Sequence, residues 1–444
     1  MFCAMGSLKI ENFTKVKGYR NFIQGAHKVL INTLSDFFSA EVDINFEPLN
    51  GIKKVQGNII RDNIFRNVYV LDKNTILLFC SIHVEDIVYV LGIILAAKNI
   101  GDRKSSRIFN IVAETISTSL RQAFPTSFRK SYMLVNEQLM TCVVGRYVSK
   151  FCYNYYRMHY LLDFFNALRS TTFEGKYFST GLIITKSLFD FKKQVDDGKG
   201  YVMYLNSPKK FSDSIDTRFW YLVDGYTSYY LTDLKKDIHY MYVYNTANQG
   251  YLSRILLGKA LHRIDVLLRA NNGRELSVIT SNNIEFIYQE NVWRFRDYQW
   301  LRSRILEELP LEDKVYNAIL YFVLYCSKND TSSIIWIPKN IDKVGELLKT
   351  THSMSKKSFN VVDKQYDGLI KRLLSSDGAT VICQDGSIKY YGCIIKMEVT
   401  EANVLKGTGE TAASRLASNG IAIKISQDGT IKIFLNDKTK IIKF

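Results

Sequence analysis

Three short stretches near the end of the chain combine residue types that can hold a nucleotide. They are Asp377, Gly378 and Ala379 before an apolar strand, Gly407, Thr408 and Gly409 before a small-residue helix, and Ser426 after a strand. Backbone N–H groups at a helix start attract phosphate, and glycine lets a ligand approach the backbone closely. A carboxylate on a neighbouring strand can bind a divalent metal or a sugar hydroxyl. The pattern therefore favours a nucleotide site.

Each of these residues also has an ordinary structural role. Asp-Gly is a common turn dipeptide, and it recurs at Asp224, Asp385 and Asp428. Thr408 suits a helix N-cap, and Glu410 suits the first turn of a helix. Ser426 can simply end a buried strand. Only the order and spacing of the three stretches favour the functional interpretation.

That order resembles the diadenylate cyclase (DAC) domain, whose motifs read Asp-Gly-Ala, Gly-Thr-Arg-His-Arg and Ser-Glu-Glu. The resemblance covers residues 315 to 444. The matching residues are Asp377, Gly378 and Ala379 in the first motif, Gly407, Thr408, Ala412 and Ala413 in and after the second, and Ser426 in the third. The family joins two ATP molecules into cyclic di-AMP between two domains placed face to face, with a divalent metal between them.

The second motif departs from the family at the positions that grip phosphate. Gly409, Glu410 and Thr411 stand where the family has Arg, His and Arg. Losing one preorganised donor at such a centre costs on the order of a hundredfold to a thousandfold in rate. Glu410 also adds negative charge close to the expected phosphates. Arg415, four residues after Thr411 on the same helix face, is the candidate replacement together with Lys406.

The third motif departs as well, because Gln427 and Asp428 stand where the family has two glutamates. The chain is therefore similar to the degenerate, DACNV-type sensor branch found in bacterial proteins. The expected function is a nucleotide-binding sensor for an adenine nucleotide or a cyclic dinucleotide. In that site Asp377 would contact ribose or a Mg²⁺ or Mn²⁺ ion brought by the nucleotide, the Gly407 to Gly409 amides would contact phosphate, and Glu410, Arg415 and Ser426 would line the ligand.

Two alternatives stay open. The first is an active diadenylate cyclase in which Asp377 is catalytic, and the face-to-face arrangement of the family makes a homo-oligomer the expected partner. The second is a basic protein that binds nucleic acid or another partner, since 59 Lys and Arg against 43 Asp and Glu give a net charge of +16. Residues 293–304 interleave arginine with aromatic residues, as base-stacking surfaces do. We favour instead a helix that buries its aromatic stripe and exposes its arginines.

The remaining composition excludes several classes of protein. Seven scattered cysteines without a C-x-x-C pair indicate reduced thiols, and together with six dispersed histidines they predict neither zinc nor haem. No apolar run reaches the roughly 18 residues that span a membrane, and no secretory signal begins the chain. The expected location is the cytoplasm. There is no P-loop and no dinucleotide-binding fingerprint.

The elements that must position the site predict an α/β fold with three parts. An N-terminal α+β module covers 1–130, a β-rich middle module covers 145–308 and includes a basic helix near 251–270, and a DAC-like mixed β-sheet flanked by helices covers 310–444. Apolar periodicity predicts further helices over 17–37, 85–98, 105–122, 153–168, 311–328 and 341–350. Strand patterns cover 67–82 with a turn at 72–74, 181–188, 200–205, 218–232 with a turn at 224–225, 239–245, 275–290 with a turn at 281–283, and 333–338.

Overall fold

The structure is a computed structural model. It describes residues 9–10, 19–45, 68–72, 75–84, 87–96, 106–123, 128–152, 155–195, 198–211, 215–233, 237–247, 249–258, 261, 265–353, 359–397, 407–435 and 441–444. The chain divides into two compact units. Unit 1 comprises Met1–Thr171, Arg274–Ser277 and Phe286–Phe295, and unit 2 comprises Thr172–Gly273, Val278–Glu285 and Arg296–Phe444. The sequences expected to form middle and C-terminal modules therefore lie largely within one unit.

Unit 1 packs helices on a five-stranded sheet of order β1-β5-β4-β3, in which β2 pairs with β5. Its elements are β1 Lys9–Ile10, α1 Tyr19–Phe38, β2 Glu41–Asn45, β3 Val68–Asp72, β4 Thr75–Val84, β5 Ile87–Ala96, α2 Ser106–Ala123, α3 Phe128–Cys152 and α4 Tyr155–Arg169. Phe38 of α1 stacks on Phe109 of α2 with 5.1 Å between ring centroids. The predictions of α1, α2 and the β3 and β4 strands are confirmed. The predicted turn residues 73–74 lie outside the described residues.

The helix predicted over 85–98 is wrong, because the described residues of this segment, Ile87–Ala96, form the strand β5. It pairs antiparallel with β4 along its whole length, from Thr75 opposite Ala96 to Val84 opposite Ile87. A continuous apolar run shows no periodicity that separates a buried helix from a buried strand. The isoleucine and valine residues of the run and its pairing partners on both sides favour the extended form.

The middle of the chain forms an eight-stranded sheet of order β15-β14-β13-β12-β8-β10-β11-β9, with a small β6-β7 hairpin beside it. The elements are β6 Thr172–Phe173, β7 Lys176–Tyr177, β8 Thr180–Ile184, α5 Leu188–Val195, β9 Gly200–Lys209, α6 Thr217–Tyr221, β10 Ser228–Thr232, β11 Ile238–Tyr244, α7 Tyr251–Leu256, β12 Val266–Asn271, β13 Glu275–Thr280, β14 Ile284–Gln289, β15 Val292–Asp297 and α8 Tyr298–Glu308. The hairpin that turns at 281–283 is confirmed.

Two helix and strand predictions in this region are corrected. The basic helix near 251–270 is only the short α7, which ends where Leu257 adopts φ 55°, while Val266–Asn271 is a buried strand paired with β8. The extended segment at 218–232 begins instead as the helix α6, because the Asp216 carboxylate caps it by accepting from the Phe219 N–H. The β-branched and leucine-rich run at 266–268 fits a pleated surface better than a helix.

The arginine-rich stretch 293–304 is also not one helix with exposed arginines. It comprises most of β15 followed by the first two turns of α8. Arg296 is 4% exposed and Arg304 is 8% exposed. Trp293, Phe295 and Tyr298 are buried as well. The stretch therefore does not form a base-stacking surface.

The C-terminal sheet is mixed and has seven strands in the order β17-β19-β18-β16-β20-β21-β22. Its elements are α9 Asp313–Lys328, β16 Ser333–Pro338, α10 Val344–Leu347, β17 Leu348–His352, α11 Asp367–Leu374, β18 Ala379–Ile382, β19 Ile388–Ile395, α12 Thr408–Leu416, β20 Gly420–Ile425, β21 Ile431–Phe434 and β22 Ile441–Lys443. The α/β fold class is confirmed. Of the helix predicted at 341–350, only a short turn and α10 form before the strand β17 begins.

Alternate residues of these strands face opposite layers. Ile335 and Ile423 pack in the cluster that includes α9 and α11, whereas Trp336, Ala422 and Phe434 pack against α12. The sheet is thus sandwiched between helices. In the described part of the chain, no helix combines the length and apolar character needed to cross a membrane.

A buried charge cluster joins the eight-stranded sheet to α9 within unit 2. The Glu285 carboxylate accepts from Lys328 Nζ at 3.3 Å and from the Tyr298 hydroxyl. Burial and the Glu285 charge raise the pKa of Tyr298, so it remains a donor. Removing one partner of such a cluster would leave an uncompensated buried charge. The middle and C-terminal segments are therefore held together by polar as well as apolar contacts.

Candidate functional site

The strand register brings two of the predicted stretches to one end of the C-terminal sheet. Ala379 at the start of β18 lies opposite Ile334 of β16, which lies opposite Lys424 near the end of β20. Asp377 precedes β18 and Ser426 follows β20, so both leave the sheet at this end. Neighbouring strands lie about 4.8 Å apart, which separates the two strand ends by roughly 10 Å.

The third stretch begins α12 beside the same sheet end. Gly407 is the N-cap residue of α12, in extended backbone and without a side-chain cap hydrogen bond. The prediction of Thr408 as the N-cap is therefore wrong, because Thr408 is the first residue of the helix. A Cβ added at Gly409 would lie 2.8 Å from Cε of Lys424. The start of α12 therefore lies against the end of β20. The positive end of a helix dipole faces outward there, and the first N–H groups of the helix are not used in its own ladder.

Two lysines that the sequence interpretation missed lie beside this helix start. Lys424 and Lys432 are direct cross-strand partners in the β20–β21 hairpin. Lys424 Nζ donates to Ser332 Oγ at 2.7 Å and to the Ile425 carbonyl at 2.9 Å. Burial lowers the pKa of Lys424, and the nearby Glu410 and Asp428 carboxylates oppose that shift. The period of two in IAIKISQDGTIKIF is the signal that could have placed both lysines on one face.

Glu410 does not stand alone at the helix start. Its carboxylate accepts from Lys432 Nζ in an ion pair whose side chains are 25% and 21% exposed. The repulsion that the sequence predicts between Glu410 and a phosphate is therefore offset by Lys432. The pair also holds Lys432 close to the first turn of α12.

The other two substituted positions offer no cation either. Gly409 has no side chain, and the Thr411 hydroxyl donates back to the Gly407 carbonyl at 3.1 Å inside its own helix. Arg415 lies one turn further along α12 and is half-buried. Lys406, the second proposed replacement, lies outside the described residues. Lys424 and Lys432 of the hairpin thus provide cations beside the helix start.

Asp377 is exposed, and its Oδ1 accepts from the Gly378 N–H at 2.9 Å. Gly378 has a φ of 94°, and a Cβ there would lie 2.6 Å from the Cys393 carbonyl oxygen. The fold therefore requires glycine at this position whether or not a ligand approaches. Ala379 is buried in β18.

Ser426 opens the turn between β20 and β21. Its N–H donates to the Thr430 carbonyl at 2.9 Å, and Asp428 Oδ1 accepts from the Thr430 N–H at 2.9 Å. Ser426 and Asp428 thus have the ordinary turn roles that the sequence allows. Both lie at the sheet end that carries Lys424.

A divalent metal fits this sheet end only together with a phosphate ligand. Within the described residues, no group of three His, Cys, Asp or Glu side chains could hold a metal ion. Asp377 provides one exposed carboxylate. Mg²⁺ is commonly held by one or two carboxylates plus substrate phosphates and water. Mg²⁺ or Mn²⁺ would therefore arrive with a nucleotide rather than reside in the protein alone.

Comparison with known proteins gives limited likenesses. No family model matches the chain, and no curated protein matches it. The structure of a hypothetical membrane spanning protein from Bacillus cereus is 17% identical in sequence and has a TM-score of 0.27. The matched region covers 32% of this chain and 69% of that protein's chain. A double mutant of DacA from Staphylococcus aureus is 16% identical in sequence and has a TM-score of 0.23. The matched region covers 30% of this chain and 86% of the DacA chain. Both likenesses cover less than a third of this chain.

Proposed function

We propose that the C-terminal α/β region binds an adenine nucleotide or a cyclic dinucleotide and acts as a sensor. One observation carries the proposal: the start of α12, which has no side-chain cap, lies beside Lys424 and Lys432 at the sheet end where Asp377 also lies. Helix amides and ammonium groups stabilise a phosphate, and a carboxylate pairs with ribose hydroxyls or with the metal of a nucleotide.

Each residue then has a defined task. The N–H groups of Thr408 and Gly409 donate to phosphate oxygens, and Lys424 supplies a positive charge beside them. Because Lys424 is half-buried and its pKa is lowered, an incoming anion would restore the charge interaction that burial weakens. Asp377 binds the sugar hydroxyls or the metal ion.

Synthesis of cyclic di-AMP is not expected from this arrangement. Cyclase chemistry needs donors that stabilise negative charge on the reacting phosphate, and Gly409, Glu410 and Thr411 provide no cation there. Lys424 is held by Ser332 and the Ile425 carbonyl and Lys432 by Glu410, so these lysines suit binding of a phosphate rather than replacement of the three missing cationic side chains. Incubation of the purified protein with ATP and Mn²⁺, followed by mass spectrometry, should detect no cyclic di-AMP above background. Dimer-dependent product that disappears in Asp377→Asn would overturn the sensor proposal, and Arg415 would then be the first residue to examine for phosphate binding.

Ligand binding is tested by thermal unfolding and calorimetry with ATP and cyclic di-AMP. A ligand at about 100 times its Kd stabilises the folded protein by about 2.7 kcal/mol, so the melting temperature should rise. Lys424→Met should abolish most of that rise, since it removes the ammonium group that lies beside Gly409 at the helix start. Lys389→Met is the matched control, because Lys389 is an exposed lysine on β19 of the same sheet.

Gly409→Val tests the close approach of the ligand. The new side chain would occupy the space next to Lys424 and cover the helix amides. It should therefore block binding while α12 still forms. If neither nucleotide raises the melting temperature of the unaltered protein, the proposed ligand class is wrong.

A further inference from the structure

Unit 1 contains a cavity of about 580 Å³ that is separate from the C-terminal sheet. It lies between α3, α4 and the parts of β13, β14 and β15 that belong to unit 1. This volume is within the usual range of small-molecule sites, roughly 300–1,000 Å³. Nothing in the proposed nucleotide site uses it.

The helix α4 supplies one polar wall of the cavity. His159, Asp163 and Asn166 follow at spacings of four and three residues, which places them on one face of the helix. Burial lowers the pKa of His159, the Asp163 charge opposes that shift and the nearby Arg146 charge adds to it, which favours the neutral imidazole. A neutral imidazole, a carboxylate and an amide together offer both donors and acceptors.

The strands supply an aromatic wall. The rings of Tyr288 and Trp293 lie 5.1 Å apart, and the Trp293 indole N–H donates to Thr141 Oγ1 at 2.9 Å. Because its only donor is engaged, Trp293 offers the cavity ring surface rather than a hydrogen bond.

A nearby arginine fixes parts of both walls. Arg169 lies over the Tyr288 ring at 5.1 Å and donates to Asn166 Oδ1 at 2.6 Å. It also donates to the Arg274 carbonyl. The amide oxygen of Asn166 is therefore engaged, and the group that Asn166 offers a ligand is its N–H₂ donor. A site whose side chains are already held in place loses less entropy when it binds.

The charge of the lining indicates which ligands fit. Gln138 and Asn291 add further amides, and only Leu162 and Leu276 among the lining residues are purely aliphatic. None of the lining residues is lysine or arginine, whereas Asp163 contributes a negative charge. Arg169, the cation that contacts the two walls, already donates to the Asn166 oxygen and the Arg274 carbonyl and lies over the Tyr288 ring. A phosphate or a carboxylate would therefore meet the Asp163 charge while this guanidinium is engaged elsewhere.

We propose that this cavity binds an uncharged carbohydrate. A sugar ring carries hydroxyl groups around its rim, which match the amide and carboxylate groups of α4, and a CH face, which matches the Tyr288 and Trp293 rings. The site belongs to unit 1 and does not depend on the nucleotide proposal. A charged ligand is disfavoured by Asp163, and an apolar ligand would leave the polar groups without partners.

The test uses the full chain, with glucose, galactose, mannose and N-acetylglucosamine as separate probes. Binding is followed by calorimetry and by tryptophan fluorescence. At least one sugar should bind saturably, and glucose 6-phosphate should bind at least about tenfold more weakly than glucose if glucose is that sugar. Asp163→Asn should weaken sugar binding by about tenfold, because a hydrogen bond to a charged acceptor is lost.

Matched variants separate this site from general effects. Glu114→Gln removes an exposed carboxylate of α2 in the same unit and should leave sugar binding unchanged. Asp377→Asn should also leave it unchanged, whereas that variant should weaken nucleotide binding. Gln138→Ala removes an exposed amide of α3, and we expect a loss of about threefold with an unchanged melting temperature.

The proposal is overturned if no sugar binds saturably at concentrations up to about 10 mM. It is also overturned if Asp163→Asn and Gln138→Ala both bind the sugar as tightly as the unaltered chain. Saturable binding of adenosine, lost in Asp163→Asn, with no binding of any sugar would assign the cavity to nucleosides instead.

Discussion

The two ends of β18 carry the same dipeptide in different surroundings. Asp377-Gly378 precedes the strand and Asp385-Gly386 follows it. Both glycines have positive φ values, 94° and 87°. Both therefore need the freedom that glycine gives, and from sequence alone the two dipeptides are equivalent turn signals.

Their carboxylates differ. Asp385 Oδ1 accepts from the Ser387 N–H at 2.9 Å and from Ser387 Oγ at 2.7 Å, so it closes the turn between β18 and β19. Among the described residues, the Asp377 carboxylate accepts a hydrogen bond from the adjacent Gly378 N–H. It lies at the sheet end where α12 begins. The comparison teaches that the neighbours of an Asp-Gly pair, rather than the pair itself, decide whether its carboxylate serves the fold or remains accessible to a ligand.

The largest expected effect is a difference in stability between alanine substitutions at the two glycines. Gly378→Ala should destabilise the protein by about 2–4 kcal/mol, because its Cβ would meet the backbone of Cys393 at 2.6 Å. Gly386→Ala should cost only about 1–2 kcal/mol, since the nearest atom, 2.5 Å away, belongs to the side chain of Asn360. Urea unfolding measures both. Equal losses, or the reverse order, would contradict the difference between the two ends.

The next largest effect is a difference in ligand binding between asparagine substitutions at Asp377 and Asp385. Asp377→Asn should weaken binding of ATP or cyclic di-AMP by about tenfold and leave the free energy of unfolding within about 0.5 kcal/mol. Asp385→Asn should leave ligand binding unchanged. Calorimetry and urea unfolding of both variants provide the measurement. If Asp385→Asn weakens binding as much as Asp377→Asn does, the ligand is not bound at the end proposed here.

A smaller effect concerns the ion pair of Glu410 with Lys432 at the start of α12. Glu410→Gln removes the negative charge and releases Lys432, so an anionic ligand should bind about three to ten times more tightly. Glu307→Gln is the control, because Glu307 is also ion-paired, with Arg304, but lies on α8. Calorimetric titration decides between the outcomes. Weaker binding after Glu410→Gln would show that Glu410 does not face phosphate.

The smallest expected effect is on the free energy of unfolding at low pH. Hydrogen bonds from Ser387, chiefly the one from its side chain, lower the pKa of Asp385 from its ordinary value of 3.8. Its contribution is therefore fully present above that value and is lost as the pH falls through the lowered pKa. Because the carboxylate is exposed, we expect less than about 1 kcal/mol. Asp385→Asn should flatten the fall in stability below about pH 4, measured by urea unfolding at several pH values.

The sequence by itself determined the elements that frame the candidate site. The strand after Gly378, the helix from Thr408 and the strand that ends before Ser426 all form where local signals place them. These boundaries are local, because they depend on turn residues and on apolar runs of a few residues. The helices predicted at 85–98 and 266–270 are wrong because local signals do not decide the structure of these two segments. Their apolar runs carry no decisive period, and strand partners elsewhere in the chain made them strands.

The tertiary structure alone decided how the candidate site is charged. The ion pair of Glu410 with Lys432, and the position of Lys424 beside Gly409, depend on the register of β20 with β21 and on the packing of α12. A substitution pattern of Gly, Glu and Thr for Arg, His and Arg predicts a loss of cations at the helix start. It cannot show that lysines from a neighbouring hairpin approach the same place, because electrostatic interaction depends on distance in space and not on separation along the chain.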